Sequence, residues 1–373
     1  MKIAVNTRLL LKNKLEGIGW FTYEALKRIT ANHPEHEFIF IFDRPWNEEF
    51  IFSDNITPIQ IGPPSRHPFL WYLWFEKSLP KVLKQYKPDL FLSPDGYLSL
   101  NSDFPALPVI HDINFEHYPK DLPFWYRKYY QYYFPKYANK ATRIATVSDF
   151  SKSDISQKYK VAADKIDVVF NGVSDRFKPI VEESKKQAKA KFSNNQPYFV
   201  FVGSIHPRKN ISKMLLAFDQ FKSSGNYPHQ LVIIGQKKWW TSEMESTLHK
   251  MSFKEGVLFK NSVSPEEVAL AVAGSDGMLY ISNFEGFGIP IIEAMKSGVP
   301  VITSNVTSMP DVAGNAALLC NPKSKKEIAE QMKRLVHEPG LSDSLIKKGL
   351  IRANDFSWDK TAELLWESIL KSC

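Results

Sequence analysis

Two series of short strand-like runs, separated by stretches of helical character, constrain this chain more than any single motif. The first series is KIAVN (2–6), EFIFIF (37–42), DLFLSP (89–94), LPVIHD (107–112) and RIATVS (143–148). The second is YFVFVG (198–203), QLVIIG (230–235), VLFKN (257–261), GMLYIS (277–282) and VPVITS (299–304). Several of these runs are apolar without a break, as a strand must be when both of its faces are covered. Such strands alternating with helices predict two doubly wound α/β units. A length of 373 residues also suits two domains rather than one core. Between the series, 175–197 is polar and charged and reads as a linker. The expected divisions are therefore 1–174, 175–197, 198–356 and a C-terminal helix over 357–373. In that helix Trp358, Ala362, Leu365 and Ile369 recur at helical spacing.

Composition narrows the functional classes. No apolar run approaches the ~20 residues that a spanning helix requires. The opening MKIAVNTRLL enters a strand pattern directly, without a signal-peptide core. Cys320 and Cys373 form neither a disulfide framework nor a metal-ligand spacing, so the reading is a cytosolic protein. The balance of 48 basic and 40 acidic residues gives +8, which suits anionic partners. The basic residues are dispersed and no recognition motif is present, which argues against nucleic acid.

The stretch NFEGFGIPIIEAM (283–295) carries the most chemistry. It follows the strand pattern of 277–282, and Pro290 stands where a helix can begin without losing a hydrogen bond. The helix then ends at Gly298. A strand, a glycine turn and a helix start leave the N–H groups of Gly288 and Ile289, with the positive end of the helix dipole, facing an anion site. In the same unit VGSIHPRKN (202–210) follows a strand, so Arg208 and Lys209 stand beyond its carboxyl end, where ligands of open α/β sheets bind. Arg208 offers a fork and Lys209 a point charge to phosphate oxygens. Alone, the pair is a solvated basic turn; with the helix start at 286–290 it becomes a diphosphate clamp.

The first unit contributes fewer candidates. Gly17 and Gly19 in EGIGW (16–20) read as a loop that admits close backbone approach to a ligand. As a dinucleotide fingerprint the segment is weak, because position 22 is Thr22 and not a third glycine and the loop does not follow tightly on the strand. His111 and Asp112 end a strand, which places His111 facing the same crevice as Gly17 and Gly19 or, in the plainer reading, in a structural role. Ser148 or Asp149 is expected to cap a helix, and Asn171 and Gly172 to make a turn with φ > 0. Two aromatic tracts, 68–83 and 123–140, mix rings with Lys and Arg. The first reads mainly as core; the second suits equally an interior helix or an amphipathic face on an anionic membrane.

Taken together, these blocks resemble glycosyltransferase family 4, the retaining nucleotide-sugar glycosyltransferases of the GT-B fold, and in particular its mannosyltransferase-like branch. FEGFGIPIIEAMKSGVPVITSN (284–305) is similar to the family's strongest signature, and GSIHPRKN, VIHDINFEHYP, ATVSDFSKSDI, FNGV and the GIG segment follow its other landmarks in order. The resemblance implies two Rossmann-like doubly wound parallel-sheet domains facing a central cleft. It implies catalytic roles for His111, Glu285, Arg208 and Lys209: His111 and Glu285 at the donor sugar, the two cations on the leaving diphosphate. Gly17, Gly19, Gly203, Ser204, Phe287, Gly288 and Ile289 would contact the donor, and Glu293 its ribose. A departure falls at Asn261, where members usually carry glycine, and it bears on the base.

The implied activity is retaining hexosyl transfer from a GDP- or UDP-linked donor, GDP-mannose first, to a saccharide or lipid-linked saccharide acceptor in surface-polysaccharide synthesis. With no D-x-D pair in the sequence, no metal or other cofactor is expected. Location is read as cytoplasmic, with peripheral contact on the inner membrane face. The alternatives are a sugar-nucleotide epimerase or hydrolase on the same fold, and a non-catalytic partner protein of a polysaccharide complex.

Overall fold

A computed structural model of the chain describes residues 1–261 and 263–373. It resolves two compact units, one made of Met1–Gly172 with Trp358–Cys373 and the other of Val173–Ser357. In the first unit, strands β1 (Lys2–Asn6), β2 (Glu37–Phe42), β3 (Ile56–Gln60), β4 (Leu90–Ser93) and β5 (Ala106–Pro108) form a parallel sheet in the order β3-β2-β1-β4-β5. Strands β6 (Ile144–Thr146) and β7 (Ile166–Val168) pair in parallel beside it. A bridge between Val109 and Ala145, with Ile110 N–H donating to the Ala145 carbonyl at 2.9 Å, carries the sheet on into that pair.

The unbroken apolar runs have a simple cause: each face of this sheet meets its own core. Ile3 and Val5 of β1, with Phe38, Phe40 and Phe42 of β2, point to a layer that includes Phe21, Leu26 and Ile29 of the helix Gly17–Asn32. Ala4, Ile39 and Ile41 point the other way, onto Trp74, Phe75, Leu79 and Tyr137. The C-terminal helix Trp358–Leu370 belongs to the first unit, and its stripe of Trp358, Ala362, Leu365 and Ile369 is buried in the first of these layers.

The second unit holds a six-stranded parallel sheet. Strands β8 (Tyr198–Val202), β9 (Gln230–Ile234), β10 (Val257–Lys260), β11 (Gly277–Tyr280), β12 (Val301–Ser304) and β13 (Ala317–Cys320) lie in the order β10-β9-β8-β11-β12-β13. Chain order runs outward from β8 on one side and from β11 on the other. The β8/β11 boundary is therefore a topological switch point, where an open α/β sheet offers a crevice at the carboxyl ends of its strands.

Several expectations are corrected. The stretch 175–197 is not a linker: it carries the helix Glu182–Ser193, which belongs to the second unit and buries Ala188 and Phe192. Two apolar residues one turn apart suffice to seat it, and so sparse a stripe does not register as helical periodicity. Gly17 and Gly19 are not in a loop but open the helix Gly17–Asn32. A side chain at Gly19 would press on the Leu9 carbonyl at 3.1 Å and on Leu15 Cδ2 at 3.2 Å, so its backbone packs closely on its own chain. Neither Asn171 nor Gly172 adopts a positive φ. Ser148, by contrast, caps the helix Asp149–Tyr159 by accepting from Ser151 N–H at 3.1 Å. Among the described residues no helix is long and apolar enough to cross a membrane.

Candidate active site

The site of the second unit is built where β8 and β11 end side by side. After β8 the chain passes Gly203, whose carbonyl lies so close to Gly235 that a Cβ there would stand 1.9 Å from it. Only glycine at 235 permits that approach. The turn 206–210 follows. Asn210, at φ 61°, donates from its side-chain amide to the Ile281 carbonyl at 3.0 Å and the Pro322 carbonyl at 2.7 Å. Asn283 N–H donates to the Arg208 carbonyl at 2.7 Å. These bonds tie the basic turn after β8 to the segment leaving β11.

That tie brings three charges together. Arg208 Nη1 donates to Glu285 Oε2 at 2.7 Å, and Lys209 Nζ donates to Glu285 Oε1 at 2.6 Å. Lys209 also donates to the Tyr280 hydroxyl at 2.6 Å. Glu285 and Lys209 are buried. Burial alone would raise the Glu285 carboxyl; the charges of Arg208 and Lys209 outweigh it and hold the group down to about 2. The loop behind Glu285 is held by Ser308 Oγ, which donates to the carbonyls of Glu285 and Phe287, both at 2.9 Å.

Beyond Glu285 the chain turns at Gly288, whose φ of 104° favours glycine, into the helix Ile289–Lys296. No hydrogen bond within the described residues uses the N–H groups of Phe287, Gly288 or Ile289. Three such donors at a helix start, with the dipole behind them, suit an anion. The Phe287 ring is packed inward, edge-on to Phe356 at 5.5 Å. Glu293 lies on the helix, half-buried, with no hydrogen bond to its carboxyl among the described residues, and burial raises it to about 7 against a partial offset from Arg176. Ser204 is exposed directly after Gly203.

In the first unit His111 is half-buried, its Nε2 2.8 Å from the Pro94 carbonyl and its ring edge-on to Phe21 at 4.9 Å. The carbonyl can only accept, so Nε2 carries the proton and Nδ1 is left as an acceptor. Burial lowers its pKa. Phe21 lies on the helix Gly17–Asn32, so His111 packs against that helix. Among the described residues no three His, Cys, Asp or Glu side chains are placed to hold a metal ion.

The description "Glycosyltransferase Family 4" matches residues 15–177, and "Glycosyl transferases group 1" matches 182–351. The chain belongs to glycosyltransferase family 4. This glycosyltransferase is 26% identical to the O-antigen chain mannosyltransferase B of Escherichia coli, over 96% of its own length and 97% of the relative's. It shares its GT-B fold with the sucrose-phosphate synthase of Thermosynechococcus elongatus, at TM-score 0.78, 16% identity and full coverage of both chains. It shares it also with the Anabaena protein HepE, solved with UDP-glucose, at TM-score 0.76, 14% identity and 99% coverage of each.

The glycosyltransferase carries a second polar centre that motif reading passes over. At the carboxyl ends of β1 and β4, the switch point of the first sheet, Asp95 accepts from Asn6 Nδ2 at 2.8 Å and from Arg8 Nε at 2.5 Å. Arg8 lies 4.2 Å above the Tyr97 ring. The signal was the polar NTR directly after the first apolar run, which has no place in a core unless it is paired. Tyr280 was hidden for the opposite reason, since it reads as one more apolar strand residue. Asn261, after β10, is exposed, and its neighbour Ser262 lies outside the described residues.

Proposed function

We propose that this glycosyltransferase moves a hexose, mannose from GDP-mannose, onto a saccharide or lipid-linked saccharide acceptor in surface-polysaccharide synthesis, with retention of configuration and without a metal ion. The observation that carries the reading is that, at the β8/β11 switch point, Arg208 and Lys209 are held on Glu285, two residues before a helix start whose N–H groups at 287–289 make no hydrogen bond among the described residues. A sugar–diphosphate bond that breaks places negative charge on the leaving phosphate, and fixed positive groups at that charge lower the barrier. The two cations and the helix start supply it, and this is the physical ground for expecting no metal. The acceptor hydroxyl attacks the anomeric carbon on the leaving-group face. The C1–O electron pair goes to the diphosphate, and a phosphate oxygen takes the hydroxyl proton.

In this reading Glu285 orients both cations and adjoins the sugar, while Glu293, once ionised, accepts from the ribose hydroxyls. His111 of the first unit has in Nδ1 an acceptor for a hydroxyl of the substrate, and Gly203 and Ser204 of the second allow backbone approach to the donor. Likeness to an O-antigen mannosyltransferase supports mannose and polysaccharide synthesis. A UDP-linked donor is the second reading, favoured by the likeness to HepE with UDP-glucose. We place the protein in the cytoplasm, touching the inner membrane face through exposed Phe69, Phe124, Trp125 and Tyr132. The test is transfer from GDP-mannose and UDP-sugars to a polysaccharide-repeat acceptor, with the anomeric configuration read by NMR. Inversion of configuration, or hydrolysis without transfer, counts against the proposal.

A further inference from the structure

The basic turn that carries Arg208 and Lys209 is a single 3-10 turn, Pro207–Lys209. So short a helix cannot satisfy its own first N–H groups, and a cap residue must do so. The residue in that place is His206, in extended conformation at φ −140° and ψ 148°, with its Nδ1 accepting from Arg208 N–H at 3.3 Å. Ser, Thr, Asp and Asn are the usual residues for this task. The loop after β9 brings Trp239 edge-on to the imidazole, with centroids 5.4 Å apart, and so restrains the ring.

We propose that His206 is a positioning residue, whose imidazole caps the turn that presents Arg208 and Lys209 to the donor diphosphate without adding negative charge there. The proposal rests on the transferase reading above. Arg208, Lys209 and Glu285 together carry one net positive charge. An aspartate cap would satisfy Arg208 N–H equally well, but would add a second carboxylate beside two cations that already share one. The net positive charge that these side chains offer a diphosphate would then be cancelled, leaving the helix start alone to attract it. Imidazole avoids this: burial, then the charges of Arg208 and Lys209, push His206 down to about 4, against a small opposing effect of Glu285. Above about pH 5 the ring is therefore neutral and its Nδ1 remains an acceptor.

Because the turn is also held by Lys209 N–H to the His206 carbonyl at 2.8 Å and by Asn283 N–H to the Arg208 carbonyl at 2.7 Å, loss of the cap displaces the cations without unfolding the unit. The experiment compares His206→Ala, His206→Asn and His206→Asp with wild type by melting temperature, by calorimetric titration with UDP and GDP, and by kcat/KM with nucleotide sugar. Expected for His206→Ala is a loss on the order of tenfold in diphosphate affinity and kcat/KM, as for one lost cap. His206→Asn should restore both. His206→Asp should restore the melting temperature but not the affinity. Wild-type affinity in His206→Ala, or full recovery by His206→Asp, overturns the proposal alone, since the wild type would still bind. Should His206→Ala fail to fold, the contrast between Asn and Asp decides. A wild type that binds neither nucleotide overturns the transferase reading and this inference with it.

Discussion

Lys209 Nζ lies 2.6 Å from Glu285 Oε1 and 2.6 Å from the Tyr280 hydroxyl, in a place where both charged groups are buried. The turn after β8 and the segment after β11 are thus joined by a charge pair that solvent barely reaches. Breaking such a pair from one side leaves the other charge buried without compensation, which costs about 3–5 kcal/mol. Glu285→Ala should therefore lower stability by an amount of that order, and Lys209→Met, which removes the ammonium but keeps the volume, by less. Because Arg208 would still hold Glu285 in that variant, the two losses should be unequal. Denaturant unfolding of both variants checks this; equal, small losses would mean that the pair is solvated.

Glu293 connects stability to pH. Its folded value, about 7, lies above the ordinary carboxylate value, so the folded chain holds a proton that the unfolded chain releases. The penalty is absent at about pH 4, grows as pH rises, and is complete above 7. At about 1.4 kcal/mol per pH unit its ceiling is about 3 kcal/mol, reduced by the solvent that reaches a half-buried group. Glu293→Gln should match wild type in melting temperature near pH 4 and exceed it at pH 8. On the role proposed for Glu293 at the ribose, nucleotide affinity of the wild type should rise through pH 7 as its carboxylate forms. A constant offset between variant and wild type across that range would remove the argument.

How much of this was legible beforehand follows from which signals are local. Unbroken apolar runs report burial on both faces, so the sheets could be read, and Pro290 with Gly298 marked a helix by local chemistry. Proximity of Arg208, Lys209 and Glu285 was legible only as strand ends of one unit, because the order β8-β11 depends on pairing between distant segments. That Glu285 takes both cations at once is a matter of side-chain reach that no spacing contains. The helix Glu182–Ser193 gives no periodic signal because Ala188 and Phe192 are its only buried apolar residues, and a glycine pair before an apolar run reads as a loop although Gly19 lies in a helix. Asp95 and Arg8, 87 residues apart, give no joint signal at all.

The clamp predicts a pattern in kinetics. Removing one donor aimed at developing charge typically costs about 3–4 kcal/mol of transition-state stabilisation. Arg208→Ala and Lys209→Ala should each lower kcat by a factor of that order. If those cations and the helix start supply the charge, activity should survive EDTA unchanged. Turnover near wild type in both variants, or a strict Mg²⁺ requirement, contradicts the proposed chemistry.

The aromatic tract on the helix Phe124–Lys140 divides by exposure, and the division shapes the last prediction. Tyr129, Phe134 and Tyr137 are buried in the first unit, whereas Phe124, Trp125 and Tyr132 are exposed, Trp125 at 72%. Basic residues stand among the exposed rings: Arg127 and Lys128 lie 5.5 and 5.7 Å from the Phe124 ring, and Lys136 lies 3.4 Å from that of Tyr132. The helix Pro68–Leu73 adds Phe69, exposed at 64%. Exposed rings with interleaved cations suit the headgroup layer of an anionic membrane. Each cation contributes about 1 kcal/mol near such a surface, so binding should be reversible and should weaken as salt screens it. Vesicles with and without anionic lipid, floated at low and high salt, should recover the protein only with anionic lipid at low salt. Trp125→Ala combined with Lys128→Glu should abolish that recovery while leaving transfer to a water-soluble acceptor intact, because neither residue belongs to the clamp. Equal flotation by wild type and variant would assign the exposed rings to some other contact.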